Sequence, residues 1–232
     1  MMWSHLTMNE KPVEEALEEI ASNRELIEEY NSYWKNITPA NDKEIFRRYV
    51  FSFLSVHTPW SGNVRSFHML DDLAENDYTN QERLQQVIYD SRAGNYRTKS
   101  KGIHRFTEHF NRSSEFYKLT NDKDVSHQAQ RDIIMTACYG LGLAKTAFAL
   151  EMCYPLTAQI VCLDTHMLQL YGYTDGKERA KAGSDPDLYH EMETHWVETC
   201  NKHNMSPVIA RAIWWDKKQR QKNSRYWTYV LE

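Results

Sequence analysis

Apolar residues recur at spacings of three and four along most of the 232-residue chain, and this period most constrains its fold. From Pro12 to Tyr33, for example, Leu17, Ile20 and Ile27 would line one face of a helix. No segment alternates apolar and polar residues convincingly, as a half-buried strand does. The chain has only 8 Gly and 6 Pro, too few for a turn-rich β fold. The sequence therefore predicts an all-α protein with about ten helices.

Turn residues mark the breaks between the predicted helices. The segment from Pro12 to Tyr33 is predicted to be one helix, and Asp42 is suited to cap the next one. The segment from Arg92 to Phe110 is predicted to be a basic amphipathic helix. The segment from Gly172 to Asp187 is polar and contains three glycines, so we expect a loop there.

Composition and cysteine spacing exclude several classes of protein. The chain is 41% hydrophobic and 26% charged, and at this length it can bury a core without a disulfide or a metal. No apolar run approaches the roughly 20 residues of a membrane span, and the first residues lack the features of a signal peptide. We therefore expect a cytoplasmic protein without membrane association. The four cysteines are spaced as in no iron–sulfur or zinc motif, so we expect reduced thiols and neither metal nor cofactor: Cys138, Cys153, Cys162 and Cys200.

The net charge of −4 is unevenly distributed along the chain. Residues 1–45 carry ten acidic and four basic residues, whereas residues 46–232 carry twenty-two acidic and twenty-four basic ones. The stretch from Ser91 to Arg105 has five basic residues and no acidic one, and the stretch from Arg211 to Arg225 has six basic residues and one acidic. Such local patches are what phosphate binding requires. Solvated helix faces are the alternative explanation.

The segment from Ile134 to Tyr171 is the most informative part of the sequence. It is predicted to contain a helix, a turn with Gly140 and Gly142, a second helix, a connector, and a third helix that begins after Asp164. The glycines permit a tight hairpin whose backbone N–H groups face outward at a helix N-terminus, and this arrangement binds anions. A simple turn between packed helices would also explain two glycines.

A resemblance to the helix-hairpin-helix DNA glycosylase superfamily, endonuclease III-like branch, rests on two motifs: the run GLGLAKTA at residues 140–147 and the run LDTH at residues 163–166. Two earlier stretches match in the same order: FLSVHT at residues 53–58 and YDSRAGNY at residues 89–96. The resemblance implies two helical domains with an active-site cleft between them. A barrel domain would cover residues 43–157 and end in the helix-hairpin-helix, and a second domain would combine residues 1–42 with residues 158–232.

The resemblance also implies that the hairpin binds the DNA backbone and that Asp164 is the catalytic carboxylate. Cleavage of an N-glycosidic bond builds positive charge on the sugar, which a nearby carboxylate stabilises. The same carboxylate is suited to deprotonate a lysine or a water molecule. At this position Asp164 is equally suited to cap the following helix, and the two roles are compatible.

The sequence departs from the family pattern at the position of the nucleophile. Many members carry, just after the second hairpin glycine, a lysine that attacks the sugar and adds lyase activity. Here Ala144 occupies that position and Lys145 follows it, while Tyr139 replaces the usual proline before the first glycine. The C-terminal four-cysteine cluster of many members is absent, so no iron–sulfur cluster is expected. Lys145 is the candidate nucleophile, and a phosphate-contacting or surface lysine is the alternative.

Two further groups of residues are predicted to contact DNA. An enzyme that flips a base out of the duplex must fill the gap and stack the base in a pocket. His57, Trp60 and Tyr139 are candidates for wedge or pocket, with core packing as the alternative. The residues expected at the DNA backbone lie in the hairpin and at the start of the basic helix: Gly140, Leu141, Gly142, Ala144, Thr146, Arg92, Asn95 and Arg97.

The sequence therefore predicts a DNA glycosylase that flips a damaged or modified base in double-stranded DNA and cleaves its N-glycosidic bond. If Lys145 is a nucleophile, the enzyme is also an AP lyase. Two alternatives stay open: a transferase on the same scaffold that modifies a thymine-derived base in viral DNA, and a non-catalytic DNA-binding module. No obligate protein partner is evident, and the sequence leaves the recognised base open.

Overall fold

A computed structural model describes residues 8–219 of the chain. Over this range the regular elements are twelve α-helices and two short 3₁₀ segments, with no strand, which confirms the all-α prediction. The helices are α1 (Lys11–Ser22), α2 (Arg24–Asn36), α3 (Asp42–Leu54), α4 (Trp60–Asp71), α5 (Gln81–Asp90), α6 (Tyr96–Phe110), α7 (His127–Ala137), α8 (Leu143–Cys153), α9 (Thr165–Leu170), α10 (Gly176–Ser184), α11 (Pro186–Lys202) and α12 (Pro207–Gln219), and the 3₁₀ segments are Glu75–Thr79 and Ser114–Tyr117. No helix in this range is both long and apolar enough to cross a membrane.

Backbone contacts divide the described residues into two compact units. The central unit comprises residues 38–154 and contains α3 to α8. The terminal unit comprises residues 8–37 and 155–219 and contains α1, α2 and α9 to α12. The sequence prediction drew the boundaries at residues 43 and 157.

Three of the local predictions are wrong because side-chain caps outweigh the general pattern. Helix α3 is capped by Asn41, not by Asp42: the Asn41 side chain accepts a hydrogen bond from the Glu44 N–H at 3.0 Å, and Asp42 is the first residue of the helix. The segment from Pro12 to Tyr33 is not one helix, since Asn23 lies between α1 and α2 and accepts a hydrogen bond from the Leu26 N–H at 3.1 Å. The segment from Gly172 to Asp187 is not all loop, since Asp175 accepts bonds from two N–H groups of α10 at 2.8 and 3.3 Å. Asn and Asp are among the residues that cap helix N-termini best.

Aromatic side chains fill the interior of the central unit. The ring of Phe106 lies 5.0 Å from that of Tyr49, 4.9 Å from that of Tyr117 and 5.5 Å from that of Phe53. All four residues are almost completely buried, and burial of each ring stabilises the fold by about 2–3 kcal/mol. Tyr49 and Phe53 belong to α3, which packs against both α6 and α8. The core therefore positions the helix that follows the predicted hairpin.

A buried connector leads into α9 in the terminal unit. Residues 160–163 are buried and lie outside any helix, so their backbone groups need side-chain partners. Helix α11 supplies them: Glu193 accepts a hydrogen bond from the Val161 N–H at 3.0 Å, and the Tyr189 hydroxyl donates to the Val161 carbonyl at 2.8 Å. The Leu163 N–H in turn donates to the Tyr189 hydroxyl at 3.2 Å. These bonds fix the chain immediately before Asp164.

Candidate active site

The two glycines of the hairpin have different structural roles. The turn between α7 and α8 comprises residues 138–142, and the Leu141 N–H donates to the Cys138 carbonyl at 2.9 Å. Gly140 has a φ of +92°, which L side chains rarely adopt. Gly142 has an ordinary φ of −101° and is the N-cap residue of α8. A Cβ on Gly142 would meet no heavy atom within 4 Å. The space beside the N-terminus of α8 is therefore open at Gly142.

Helix α8 provides the backbone donors that an anion site needs. The Lys145 and Thr146 N–H groups both donate to the Gly142 carbonyl, at 3.1 and 2.9 Å. Leu143 and Ala144 are the first two residues of α8, so no carbonyl group within the helix can accept a hydrogen bond from their N–H groups. Together with the helix dipole, such amides favour a phosphate oxygen at this end of the helix.

Helix α6 holds the hairpin through a close backbone contact. A Cβ on Gly102 would lie only 2.6 Å from the carbonyl oxygen of Tyr139, so a larger residue could not keep α6 this close to the turn. On the other side, the hydroxyl of Ser52 in α3 donates to the Lys145 carbonyl at 2.6 Å. The turn and the first residues of α8 are thus fixed by two buried elements of the central unit.

Tyr139 projects from the turn beside two cations. Its surface is 44% exposed, and its ring lies 5.0 Å from Nζ of Lys101 and 4.7 Å from Cζ of Arg105. Cations over a tyrosine ring are attracted to its electron-rich face. The combination of an exposed ring and positive charge is typical of surfaces that stack on nucleobases and attract phosphates.

Three predicted site residues line one cavity of the central unit, with a volume of about 320 Å³. These are His57, Asn95 and Gly140, and all three have positive φ angles. Positive φ is uncommon for residues other than glycine, and it places His57 and Asn95 at sharp turns of the backbone. The remaining lining residues are Phe53, Val56, Thr98 and Lys99.

Lys99 was missed by the sequence analysis as a site residue. It is 2% exposed, and its amine donates a hydrogen bond to the Thr58 hydroxyl. Burial, and to a lesser degree the nearby charge of Lys145, lower the pKa of Lys99 to about 8. An amine with a lowered pKa is a better nucleophile and base near neutral pH. The only sequence signal was the place of Lys99 within the basic stretch, since its burial depends on tertiary packing.

Lys145 lies in the first turn of α8 and is half-buried. Its Nζ lies 5.4 Å from the centre of the Phe148 ring in the next turn. The charge of Lys145 contributes to the lowered pKa of Lys99. The central unit therefore offers a second candidate amine, Lys99 in α6, which lines the same cavity as Gly140 of the hairpin.

Asp164 caps α9 and is held at both carboxylate oxygens. Its Oδ1 accepts hydrogen bonds from the N–H groups of His166 and Met167 at 2.9 and 3.1 Å. Its Oδ2 accepts one from Nη2 of Arg211 at 3.1 Å. The side chain of Asp164 is 17% exposed and that of Arg211 is 4% exposed. The carboxylate thus has a fixed orientation with limited solvent access, and its partner Arg211 was not predicted from the sequence.

The other predicted residues differ in exposure. Leu141 and Thr146 are buried, so their side chains support the hairpin and are not available for contact with DNA. Trp60 is half-buried at the start of α4, with its ring 5.4 Å from that of Phe51, as expected for core packing. The basic helix begins at Tyr96 and not at the predicted Arg92, which lies in the turn before it with a φ of +59°. Arg92 in this turn and Arg97 in the first turn of α6 are both exposed.

In the described part of the second basic stretch, residues 211–225, two of the three basic residues are held in ion pairs. Arg211 is paired with Asp164, and Lys217 is paired with Glu19 of α1, whereas Lys218 is exposed. The stretch beyond residue 219 lies outside the described residues.

In the central unit two helices, α7 and α8, flank a glycine-containing turn, and in the terminal unit Asp164 precedes a later helix, α9. Two solved structures with a similar fold are named as DNA glycosylases. The 8-oxoguanine DNA glycosylase of Thermotoga maritima superimposes with a TM-score of 0.68 at 14% sequence identity, covering 92% of this chain and 99% of that one. The 8-oxoguanine DNA glycosylase of Methanocaldococcus jannaschii superimposes with a TM-score of 0.64 at 18% identity, covering 91% of this chain and 94% of that one.

The fold implied by the sequence resemblance is thereby confirmed. No protein-family model and no curated protein matches the sequence. At identities of 14% and 18%, the similarity to the two solved structures is a similarity of fold.

Proposed function

We propose that the protein is a DNA glycosylase that removes a damaged or modified base from duplex DNA. The observation that carries this proposal is Asp164, a carboxylate held by two amides and by Arg211 in a chain with the glycosylase fold. Both solved structures are named as 8-oxoguanine DNA glycosylases. Duplex DNA with one 8-oxoguanine is therefore the first substrate to test.

Asp164 acts through its negative charge in this proposal. When the bond between C1′ and the base nitrogen breaks, the electron pair leaves with the base and the sugar becomes positively charged. A carboxylate that is already oriented stabilises this charge without the cost of reorganising during the reaction. Water then adds to C1′ and loses a proton, which leaves an abasic site and the free base.

The hairpin and the start of α6 form the proposed surface for the DNA backbone. The amides of Leu143 and Ala144 would bind one phosphate, and the exposed side chains of Arg92 and Arg97 would bind others, together with the half-buried Lys101. The buried Leu141 and Thr146 are left out of this surface. Such contacts position the DNA without reading its sequence, so binding weakens steeply as salt rises.

Base flipping is assigned to residues around the hairpin. Tyr139 is exposed at the turn and suits a wedge that stacks in the duplex. His57 and Asn95 line the cavity of about 320 Å³, which has room for one nucleobase. Trp60, by contrast, is assigned to the core because it packs on Phe51.

The lyase activity is proposed to depend on Lys145, with Lys99 as the competing amine. In this step a neutral amine attacks C1′, and the base leaves with the electron pair of the broken bond and takes up a proton that the attacking nitrogen loses. The bond between C1′ and the ring oxygen O4′ then breaks, O4′ takes the remaining proton of that nitrogen, and a Schiff base forms between C1′ and the nitrogen. Elimination then breaks the bond from C3′ to its phosphate. Lys145 follows the hairpin in the sequence as the family pattern implies, whereas Lys99 has the lowered pKa of about 8.

Borohydride trapping separates the two amines. Borohydride reduces a Schiff base to a stable crosslink between protein and DNA. We expect Lys145→Gln to abolish the crosslink and Lys99→Gln to retain it. The opposite pattern would assign the nucleophile to Lys99, and base release without any crosslink would exclude the lyase activity.

One observation favours a second function, transfer to a base without its removal. Ala144 stands where the family nucleophile is usual, and the lysine that follows it, Lys145, is half-buried. A transferase on this scaffold would add a group to a thymine-derived base and leave the glycosidic bond intact.

Mass spectrometry of the reaction products distinguishes the proposed functions. Duplexes that each contain one 8-oxoguanine, uracil, oxidised pyrimidine or alkylated base are incubated with the protein. Release of a free base supports the glycosylase proposal, and a mass gain on an intact thymine-derived base supports the transferase. Binding of DNA without either product would identify a non-catalytic DNA-binding module and refute the proposal.

A further inference from the structure

Three potential metal ligands meet in the terminal unit, apart from all predicted site residues. Glu10 precedes α1, Glu14 lies in its first turn, and His195 lies in α11. One ligand atom from each residue lies within 4.8 Å of the other two. His195 Nε2 lies 3.9 Å from a carboxylate oxygen of Glu10 and 3.9 Å from one of Glu14.

The other ring nitrogen of His195 is oriented by Tyr171. The Tyr171 hydroxyl donates its proton to the Met192 carbonyl at 2.7 Å, and it lies 3.1 Å from Nδ1 of His195. With that proton directed at Met192, the Tyr171 oxygen can accept a hydrogen bond from an N–H at Nδ1 of His195. This contact fixes the orientation of the imidazole ring.

In this orientation Nε2 of His195 faces the carboxylates of Glu10 and Glu14. Nε2 is itself buried and has no hydrogen-bond partner. At 3.9 Å the carboxylate oxygens are too distant for a hydrogen bond. Three potential ligand atoms therefore converge on one point without a hydrogen bond between them, and a cation at that point would bond to all three.

We propose that Glu10, Glu14 and His195 bind a divalent transition-metal ion, with Zn²⁺ as the first candidate. One imidazole nitrogen and two carboxylates are a ligand set that Zn²⁺ takes at about 2.0–2.2 Å from each atom. The glutamate side chains are about half exposed, so they can rotate to bring their oxygens within bonding distance of an ion. A Tyr–His pair of this kind also matches the outer contacts that orient histidine ligands in metal sites.

The bound ion would link the start of α1 to α11. Its coordination positions that the three side chains do not fill would be open to water. Since both helices belong to the terminal unit, the effect expected on the protein is stabilisation of that unit when the metal is present. The inference does not depend on the proposed glycosylase activity, because none of the three residues belongs to the site proposed for DNA.

Calorimetric titration of the tag-free protein with ZnCl₂ at pH 7.5 tests the inference. We expect saturable binding of one ion and a rise in the melting temperature with Zn²⁺. His195→Gln and Glu14→Gln should each weaken binding at least tenfold. Glu18→Gln is the matched control, because Glu18 is an exposed glutamate one turn further along α1, and it should bind Zn²⁺ as the wild type does.

Co²⁺ gives a second readout that does not rely on stability or activity. Its visible absorption reports the number and type of its ligands, so the spectrum of the wild type should change when His195 is replaced. Glu14 is exposed, so Glu14→Gln keeps the test valid even if the buried His195 variant folds poorly. The inference is overturned if Zn²⁺ does not bind saturably, or if the Glu14 and Glu18 variants bind equally well.

Discussion

Replacement of Gly102 by alanine tests whether the hairpin depends on its close contact with α6. The added Cβ would lie 2.6 Å from the Tyr139 carbonyl oxygen and 3.0 Å from a ring carbon of Phe53. Neither neighbour is free to move, because one is backbone and the other is a core ring. Overpacking of this kind destabilises the fold by about 1–3 kcal/mol. Alanine is more favourable than glycine inside a helix by about 0.5–1 kcal/mol, which offsets part of this loss. We expect a net loss of about 1–2 kcal/mol in the free energy of unfolding.

Urea unfolding followed by circular dichroism measures this loss, and fluorescence anisotropy measures the affinity for a duplex. Because the strain falls on the turn itself, we expect weaker DNA binding together with lower stability. Gly176→Ala is the control: Gly176 opens α10, and the nearest atom to an added Cβ is 3.9 Å away, at the end of the flexible Arg179 side chain. If Gly102→Ala is as stable as this control and binds DNA as the wild type does, the proposed role of Gly102 is refuted.

Two further predictions concern charged residues of the central unit. The pKa of Lys99 falls from 10.5 in the unfolded chain to about 8 in the folded protein. Between pH 8 and pH 10.5 the unfolded chain therefore binds more protons than the folded protein. In this pH range the contribution of Lys99 to the free energy of unfolding rises with pH. The stability of the wild type relative to Lys99→Met should therefore increase from pH 8 to pH 10 in urea titrations, and a constant difference would contradict the assignment. Lys101→Ala should weaken DNA binding and reduce the slope of log K against log salt by about 1; an unchanged slope would show that Lys101 does not contact a phosphate.

Local sequence signals were sufficient for the helical fold and for parts of the site. The helical period and the scarcity of Gly and Pro predicted the all-α class. Gly140 was correctly assigned to a turn because few other residues accept its φ of +92°. Asp164 was correctly given a capping role because a short acceptor before a helix satisfies the first amides. Each of these inferences depends on neighbours within a few residues.

The remaining features depend on contacts between distant parts of the chain. Arg211 lies 47 residues from its partner Asp164, and the burial of Lys99 depends on packing around α6. Thr146 follows the hairpin in the sequence, but the packing of α8 against α3 buries its side chain. Exposure and pairing of this kind cannot be read from residue type or from spacing along one helix.

The errors in helix boundaries have a similar origin at shorter range. The helical spacing of apolar residues continues through Asn23, so the sequence pattern predicted one helix. In the structure, the Asn23 side chain accepts a hydrogen bond from the Leu26 N–H and caps a new helix. A polar composition with three glycines suggested a loop before Asp187, whereas the Asp175 cap is sufficient to begin α10. Capping signals therefore deserve more weight than composition in segments of this length.

The rate of base release by Asp164→Asn tests the central claim most directly. Asparagine keeps a capping oxygen for α9 and removes the negative charge that stabilises the sugar cation. Because it also removes the ion pair with the buried Arg211, the circular dichroism spectrum of the variant is matched to that of the wild type before the rates are compared. Asp175→Asn makes the same chemical change at the exposed cap of α10. We predict a rate 10²- to 10³-fold below that of the wild type for Asp164→Asn and an unchanged rate for Asp175→Asn. Equal rates in the two variants would contradict the assignment of Asp164 as the catalytic carboxylate.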